Sequence, residues 1–185
     1  MNRATLIILL LILGAMFSSF KIYKNDYEYG GFMKGFDAST VSQIEEGGGT
    51  YKNADGKTED IFKLLKNNGI NWIRLRLWHN PSTAEAGNNN LERTLEIAKR
   101  IKANNMKFLL DIHYSDSWAD PEKQRRPAAW DSDTTIEELG AHVYSYTGEI
   151  LSYLKDCPPD MVQIGNEINP GMLVTKSNAT SIYDY

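Results

Sequence analysis

From residue 32 onward, the chain alternates short apolar runs with longer amphipathic segments. The apolar runs predict four strands, at 32–36, 71–78, 107–114 and 161–167. The amphipathic segments predict three helices, at 59–68, 91–104 and 136–155. Strand–helix–strand connections of this length give parallel strands with right-handed crossovers. The order therefore predicts an α/β fold, either a doubly wound open sheet or an eight-stranded barrel.

Charged side chains within the predicted strands favour the barrel. Alternation places Arg74 and Arg76 on one face of the second strand and groups Asp111 with His113 in the third. Inward-facing charges on adjacent strands need one another, and a barrel that opens into a polar site satisfies them. We expect Arg74 to form a buried ion pair with Asp111. Arg76, nearer the strand end, pairs with either a catalytic or a structural carboxylate.

The open-sheet alternative lacks its usual phosphate-binding signature. Gly47-Gly48-Gly49 follows no apolar strand and matches neither the dinucleotide nor the P-loop spacing, so it predicts a flexible loop. Asp111 and His113 make only a weak metal signal, because no second histidine lies on a neighbouring strand end. His79 and His142 have no ligand spacing either, and the sequence predicts no metal site.

The fourth predicted strand ends on the pair Asn166-Glu167. An apolar strand that stops on a carboxylate is unusual, because an ionisable group there must be solvated, paired or held for proton transfer. In a barrel of parallel strands, that position lies at the rim where catalysis takes place. The alternative is that Glu167 caps the turn or helix that follows.

The loop after the third strand, residues 113–121, concentrates hydroxyls, carboxylates and an indole. Such a mixture suits sugar recognition, in which hydroxyl groups take hydrogen bonds and a pyranose lies on an aromatic ring. Alternatively, Trp118 anchors the loop to the body of the protein. Trp78 and Trp130 likewise either contact a sugar or anchor their segments. Tyr144 and Tyr146 lie on a predicted helix and are expected in the core.

Composition indicates one ordinary globular domain. The chain has 185 residues, 42% hydrophobic and 24% charged, which is enough for a sizeable core. The formal net charge is -4 and the basic residues are scattered apart from 123–126, which argues against nucleic-acid binding. The single cysteine, Cys157, cannot form an internal disulfide and is expected to pack as a small hydrophobe.

The N-terminus has the pattern of an export signal. Asn2-Arg3 supplies positive charge, residues 4–17 are almost entirely apolar, and Ser18-Ser19 follow. The run is short for a membrane span, so we predict a signal peptide at 1–19, with an uncleaved anchor as the alternative. A polar lead-in at 20–30 precedes the domain. The protein is expected to be secreted or periplasmic, with no membrane contact beyond this segment.

Four ordered motifs, at 72–81, 87–92, 109–121 and 159–172, closely resemble glycoside hydrolase family 53, the arabinogalactan endo-β-1,4-galactanases. The resemblance extends from about residue 32 to residue 173. It implies a (β/α)8 barrel of the retaining glycosidases whose acid/base follows an Asn at the end of the fourth strand. Galactan or arabinogalactan is the implied substrate.

The resemblance also implies roles for individual residues. Glu167 corresponds to the acid/base, and Asn166 to the residue that binds the 2-hydroxyl of the sugar under attack. Arg76 corresponds to the second-strand arginine that supports the nucleophilic carboxylate. The residues matching the family's cleft-shaping loop are His113, Ser115, Asp116 and Trp118.

The family's nucleophile is a Glu at the end of the seventh strand, and the predicted elements include only four strands. A typical barrel takes ~250 residues. We therefore expect residues 31–185 to be the N-terminal half of a truncated barrel, inactive alone, without a cofactor; any calcium site would lie in the other half. The alternatives are a related glycosidase acting on another β-linked polysaccharide and a non-catalytic sugar-binding half-barrel.

Overall fold

The computed structural model describes residues 31–82, 88–132 and 135–173. The predicted signal peptide and lead-in lie outside these residues, as do Gly87 of the second motif and the tail from 174 to 185. The strands are β1 (Gly35–Asp37), β2 (Trp72–Leu77), β3 (Lys107–Ile112) and β4 (Met161–Ile164). The α-helices are α1 (Val41–Glu46), α2 (Ile61–Asn67), α3 (Leu91–Ala103) and α4 (Ile136–Tyr153). A short 3-10 helix spans Ala128–Trp130.

The four described strands form one parallel sheet in the order β1-β2-β3-β4. Asp37 lies opposite Arg74 in the pairing of β1 with β2, and Arg76 lies opposite Asp111 in the pairing of β2 with β3. Asp111 in turn lies opposite Gln163 on β4. Sequential parallel strands joined by helices are the arrangement of a (β/α)8 barrel, and these are its first four units. The predicted parallel α/β architecture is confirmed.

The core lies between the sheet and the helices that cover its outer face. Ile73, Leu75 and Leu77 are fully buried there, so the predicted alternation in β2 is confirmed, with Arg74 and Arg76 on the concave face. The other large buried side chains of this layer are Phe62, Ile97, Ile101, Phe108, Leu110, Ile112 and Ile150. No described helix has the length and hydropathy needed to cross a membrane.

Side chains fix where the three long helices begin. Asp60 accepts from the backbone N–H groups of Phe62 and Lys63, and Asn90 caps α3 in the same way. Thr135 and Glu138 form a reciprocal capping box at the start of α4. These caps agree with the predicted helix positions to within two residues.

Three predictions about local structure need correction. The first strand begins at Gly35 rather than residue 32, because the ladder to β2 starts only after Lys34, whose carbonyl accepts from the backbone of Asn71. Helix α1 was not predicted, since only Val41 in it is buried and no amphipathic pattern marks it. Tyr144 is 84% exposed on α4 and is not a core residue.

Two other expectations about packing are confirmed. Tyr146, two residues further along α4, packs against the core, and so does the half-buried Cys157. Trp130 is also buried, where its ring stacks on His142.

Candidate active site at the carboxyl edge of the sheet

Parallel strands place their carboxyl ends at one edge of the sheet, and the polar residues of this chain gather there. Arg74 is the centre of the group. Its Nη1 donates to Oδ2 of Asp37 (2.7 Å), and its Nη2 donates to Oδ2 of Asp111 (2.5 Å) and to Oδ1 of Asn166 (2.9 Å). The predicted ion pair between Arg74 and the fully buried Asp111 is confirmed. One guanidinium thus connects the ends of β1, β3 and β4.

Arg76 lies one step closer to the strand end. Its Nε is 3.3 Å from Oδ2 of Asp37 and 4.0 Å from Oδ2 of Asp111, so its partners among the described residues are structural carboxylates. Its guanidinium carbon lies 4.1 Å from the ring centroid of Trp118, a cation–π geometry. Trp118 also contacts the rings of Trp78 and His113. Trp118 therefore anchors its loop while it lines the edge of the sheet.

Asp37 is the carboxylate that sequence reasoning missed. Burial raises the pKa of this carboxyl, but hydrogen bonds from the Ser39 hydroxyl and backbone, with the charges of Arg76 and Arg74, outweigh it. The pKa lies below its ordinary value, and Asp37 is ionised at neutral pH. Asp37 is the last residue of β1 and follows the apolar Phe36, so the sequence marks it with the same signal that singled out Glu167.

His113 is buried at the end of β3. The backbone N–H of Ala119 donates to its Nδ1 (3.1 Å), and its Nε2 lies 3.3 Å from Oδ2 of Asp111. Its ring lies 4.7 Å from that of Trp78. The side chain is fully inaccessible, so His113 supports the edge from behind rather than facing a substrate in this structure.

Asn166 is held by both ends of its side-chain amide. Its oxygen accepts from Arg74, and its Nδ2 donates to the carbonyl of Ala119 (2.7 Å) and lies 3.4 Å from Oε1 of Glu167. The residue is buried, whereas the Glu167 carboxylate beside it is exposed at the edge. A fixed amide therefore lies next to an accessible carboxylic acid.

The backbone after β4 is tightly turned. Gly165 has a φ of 78°, and a Cβ there would lie 2.5 Å from Cγ2 of Ile168, so any other residue would be strained. Glu167 itself has a φ of 52°, which is uncommon for a residue with a side chain. The buried Gln124 donates from Nε2 to the carbonyls of Asn166 (2.7 Å) and Glu167 (3.3 Å). Sequence reasoning missed Gln124, which lies in a polar loop without a periodic pattern.

Ser115 and Asp116 fix the loop after β3. The carbonyl of the buried Ser115 accepts from the backbone of His79 (2.9 Å). Asp116 accepts from the backbone N–H groups of Asn80 and Ala128 (both 2.9 Å) and lies 3.2 Å from Nδ1 of His79. Burial raises the pKa of Asp116, but these hydrogen bonds lower it by more. Ser115 thus fixes the loop through its backbone carbonyl, and Asp116 does so through its side chain.

The described residues contain no group of three or more His, Cys, Asp or Glu side chains that could hold a metal ion. Asp111 and His113 are neighbours, but Arg74 occupies the space where a cation would have to bind. The arrangement suits acid–base chemistry at Glu167, beside a hydrogen-bonded frame in which two arginines are paired with two carboxylates.

Comparison with known proteins identifies the family of this chain. The family model described as Glycosyl hydrolase family 53 matches residues 33–184. The chain belongs to glycosyl hydrolase family 53. It is 43% identical to the endo-beta-1,4-galactanase of Bacillus subtilis, over 76% of this chain and 34% of that protein. It is 44% identical to the probable arabinogalactan endo-beta-1,4-galactanase A of Aspergillus terreus, over 76% of this chain and 40% of that protein.

A solved structure supports the same family. The GH53 catalytic domain of Ignisphaera aggregans is 44% identical to this chain and superposes with a TM-score of 0.72, over 77% of this chain and 41% of that domain. The chain thus spans between about a third and two fifths of the length of these GH53 proteins. The family assignment and the fold of these first units are established by these matches.

Proposed function

We propose that this chain forms the acid/base half of a retaining endo-β-1,4-galactanase that cleaves galactan or arabinogalactan. The observation that carries the proposal is the Asn166-Glu167 pair at the end of β4, with an amide fixed by Arg74 and Ala119 beside an exposed carboxylate. The galactanase names of the GH53 relatives supply the substrate class.

Glu167 donates a proton to the leaving glycosidic oxygen in the first step and acts as the base toward water in the second. A retaining enzyme needs a second carboxylate about 5 Å away to attack the anomeric carbon. By family resemblance, that nucleophile is a Glu on a seventh strand. The same resemblance implies that Arg76 supports this nucleophile. The Nη atoms of Arg76 make no hydrogen bond to any described residue.

Asn166 binds the 2-hydroxyl of the sugar under attack. The loop of Ser115, Asp116 and Trp118 forms a wall of the cleft, in which the half-buried Trp118 ring offers an apolar surface to a pyranose. His113 contributes to that wall from behind. No cofactor takes part in this half, and any calcium site belongs to the other half.

The remaining proposals concern organisation and location. Residues 1–19 act as an export signal, residues 20–30 lead into the domain, and residues 31–185 form the first four β/α units. The protein is secreted or periplasmic, where it meets its polysaccharide.

The proposal is tested in a chimaera in which residues 33–173 replace the matching part of the Bacillus subtilis galactanase. Glu167→Gln should reduce galactan hydrolysis by about 10²- to 10⁴-fold, because the amide cannot donate a proton, and leave binding largely intact. The loss should be smaller for an aryl glycoside with an activated leaving group, and azide should partly restore turnover.

Glu149→Gln on the exposed surface of α4 is the control and should be active. Equal losses on both substrates without azide rescue would remove Glu167 from the acid/base role. Faster hydrolysis of mannan, xylan or cellulose than of galactan would move the protein to another polysaccharide. Sugar binding by an inactive but folded chimaera would favour a non-catalytic half-barrel.

A further inference from the structure

His113 accepts one hydrogen bond and lies close to one carboxylate, although its side chain has no exposed surface. Its Nδ1 accepts the backbone N–H of Ala119, so the proton of the neutral ring lies on Nε2, which faces Oδ2 of Asp111 at 3.3 Å. Trp78 packs on the ring with 4.7 Å between centroids. The imidazole is therefore held by Ala119 in the loop after β3, which sets its tautomer, by Asp111 on β3, and by Trp78, which follows β2.

Ala119 links this fixed ring to the candidate acid/base. Its backbone N–H is bonded to His113, and its carbonyl accepts from Nδ2 of Asn166 at 2.7 Å. Ala119 is itself buried, so no exposed group competes for either bond. A displacement of Ala119 would withdraw the acceptor that orients the Asn166 amide, while Arg74 would still hold the amide oxygen.

We infer that His113 is a positioning residue that sets the orientation of the Asn166 amide through the backbone of Ala119. The inference rests on the proposed function for its catalytic meaning, because it makes the contact of Asn166 with a sugar 2-hydroxyl depend on a histidine that touches no substrate. The contact between the Trp118 ring and Arg76 benefits from the same bond, since the peptide that joins Trp118 to Ala119 supplies the N–H group.

The test compares two substitutions of nearly the same shape. His113→Asn keeps an acceptor near the position of Nδ1, whereas His113→Leu removes it and leaves the Ala119 N–H buried without a partner. In the chimaera, kcat/KM is measured for an aryl β-galactobioside and for its analogue that lacks the 2-hydroxyl on the attacked sugar. His113→Leu should lose on the order of tenfold more activity on the first substrate than on the second, as expected for one broken hydrogen bond.

His113→Asn should recover most of that difference, because it restores the acceptor. Tyr114→Phe is the matched control, since it removes the buried hydrogen bond between Tyr114 and Thr147 at the same strand end without touching Ala119. It should leave the ratio between the two substrates unchanged. Equal losses of His113→Leu on both substrates, or equal behaviour of the Asn and Leu variants, would overturn the inference.

A second measurement needs no activity and uses the 185-residue chain itself. The side-chain NH₂ resonances of Asn166 are identified in ¹⁵N-asparagine-labelled protein by their loss in Asn166→Asp. They should shift in His113→Leu, stay near their original positions in His113→Asn, and be unaffected by Tyr114→Phe. Unchanged Asn166 resonances in His113→Leu would refute the positioning role.

These readouts separate the two ideas. Absence of galactan hydrolysis in the chimaera with the natural residues would reject the proposed function and leave the resonance test of His113 standing. If His113→Leu does not fold, His113→Ser, which is too short to reach Ala119, takes its place in both measurements.

Discussion

The central and the edge strands of the sheet are built differently. In β2 and β3, apolar side chains face the helices and are buried, and the charged side chains on the concave face are paired with one another. In β1 and β4, apolar residues remain accessible, with Phe36 exposed by 42% and Ile164 by 45%. The central pair holds most of the ionic network, to which β1 contributes Asp37, whereas the edge strands also carry apolar surface suited to further packing.

The candidate acid/base follows an edge strand. Asn166 and Glu167 come after β4, yet the contacts that fix them come from Arg74 on β2 and from Ala119 and Gln124 in the loop after β3. The geometry of this site is therefore set by residues of β2 and of the loop after β3. Four predictions test this division between centre and edge.

Breaking the central network should have the largest effect. Arg74→Leu leaves the fully buried Asp111 without its main partner, and we expect the free energy of unfolding to fall by about 3 kcal/mol in urea titrations. Lys63→Leu, which removes an exposed pair with Glu59, should cause no measurable change. Similar losses in both variants would show that the centre holds no special ionic stabilisation.

The turn after β4 should respond next. Gly165→Ala combines a left-handed backbone with a clash against Ile168, so it should lower the free energy of unfolding by about 2 kcal/mol. Gly56→Ala has nearly the same φ but open space around the new methyl, so it should cost about 1 kcal/mol. The difference between the two variants measures how tightly the site turn is packed. Equal costs would mean that Ile168 moves aside freely.

The accessible edge should make the 185-residue chain associate with itself. Exposed strand edges with apolar side chains invite pairing, and a lysine there opposes it. Ile164→Lys is expected to weaken association about tenfold in sedimentation velocity, roughly 1.4 kcal/mol. Ile136→Lys, at the exposed start of α4, is the control and should associate like the natural chain. A monomer at all concentrations would contradict the expectation.

The smallest effect concerns acid stability at the end of β1. The pKa of Asp37 lies below its ordinary value, so its ionised form stabilises the fold above the unfolded pKa of about 4, and this stabilisation is lost as pH falls through the folded pKa. Asp37→Asn should therefore show a shallower loss of melting temperature between pH 5 and pH 2 than the natural chain, where both limits are approximate. The exposed Asp156→Asn should retain the original slope.

The sequence predicted those features that depend on local periodicity. Alternation in residues 71–78 correctly assigned the two faces of β2, and the charge on neighbouring strands correctly paired Arg74 with Asp111. Caps and turn residues placed the three long helices. Such signals lie within a few residues of the element they describe, so a single chain displays them without further information.

The missed features depend on contacts between distant segments. Gln124 reaches Asn166 across 42 positions, and nothing around it in the sequence marks it as buried. Alternation grouped His113 with Asp111, but it could not show that the loop folds back so that the backbone of Ala119 donates to the His113 ring. Tyr144 is exposed because the face of α4 that carries it meets no described element.

The left-handed backbone of Glu167 has a consequence for how this chain tolerates mutation. A glycine at 167 would relieve roughly 1 kcal/mol of steric cost, so the most stable sequence for this turn is one without the carboxylate. The proposed proton transfer needs a carboxylate at a position where the backbone favours glycine, so stability and the proposed function make opposite demands on residue 167. Under the proposed function, a relative with glycine at this position would gain stability in the turn and lose the proposed acid/base.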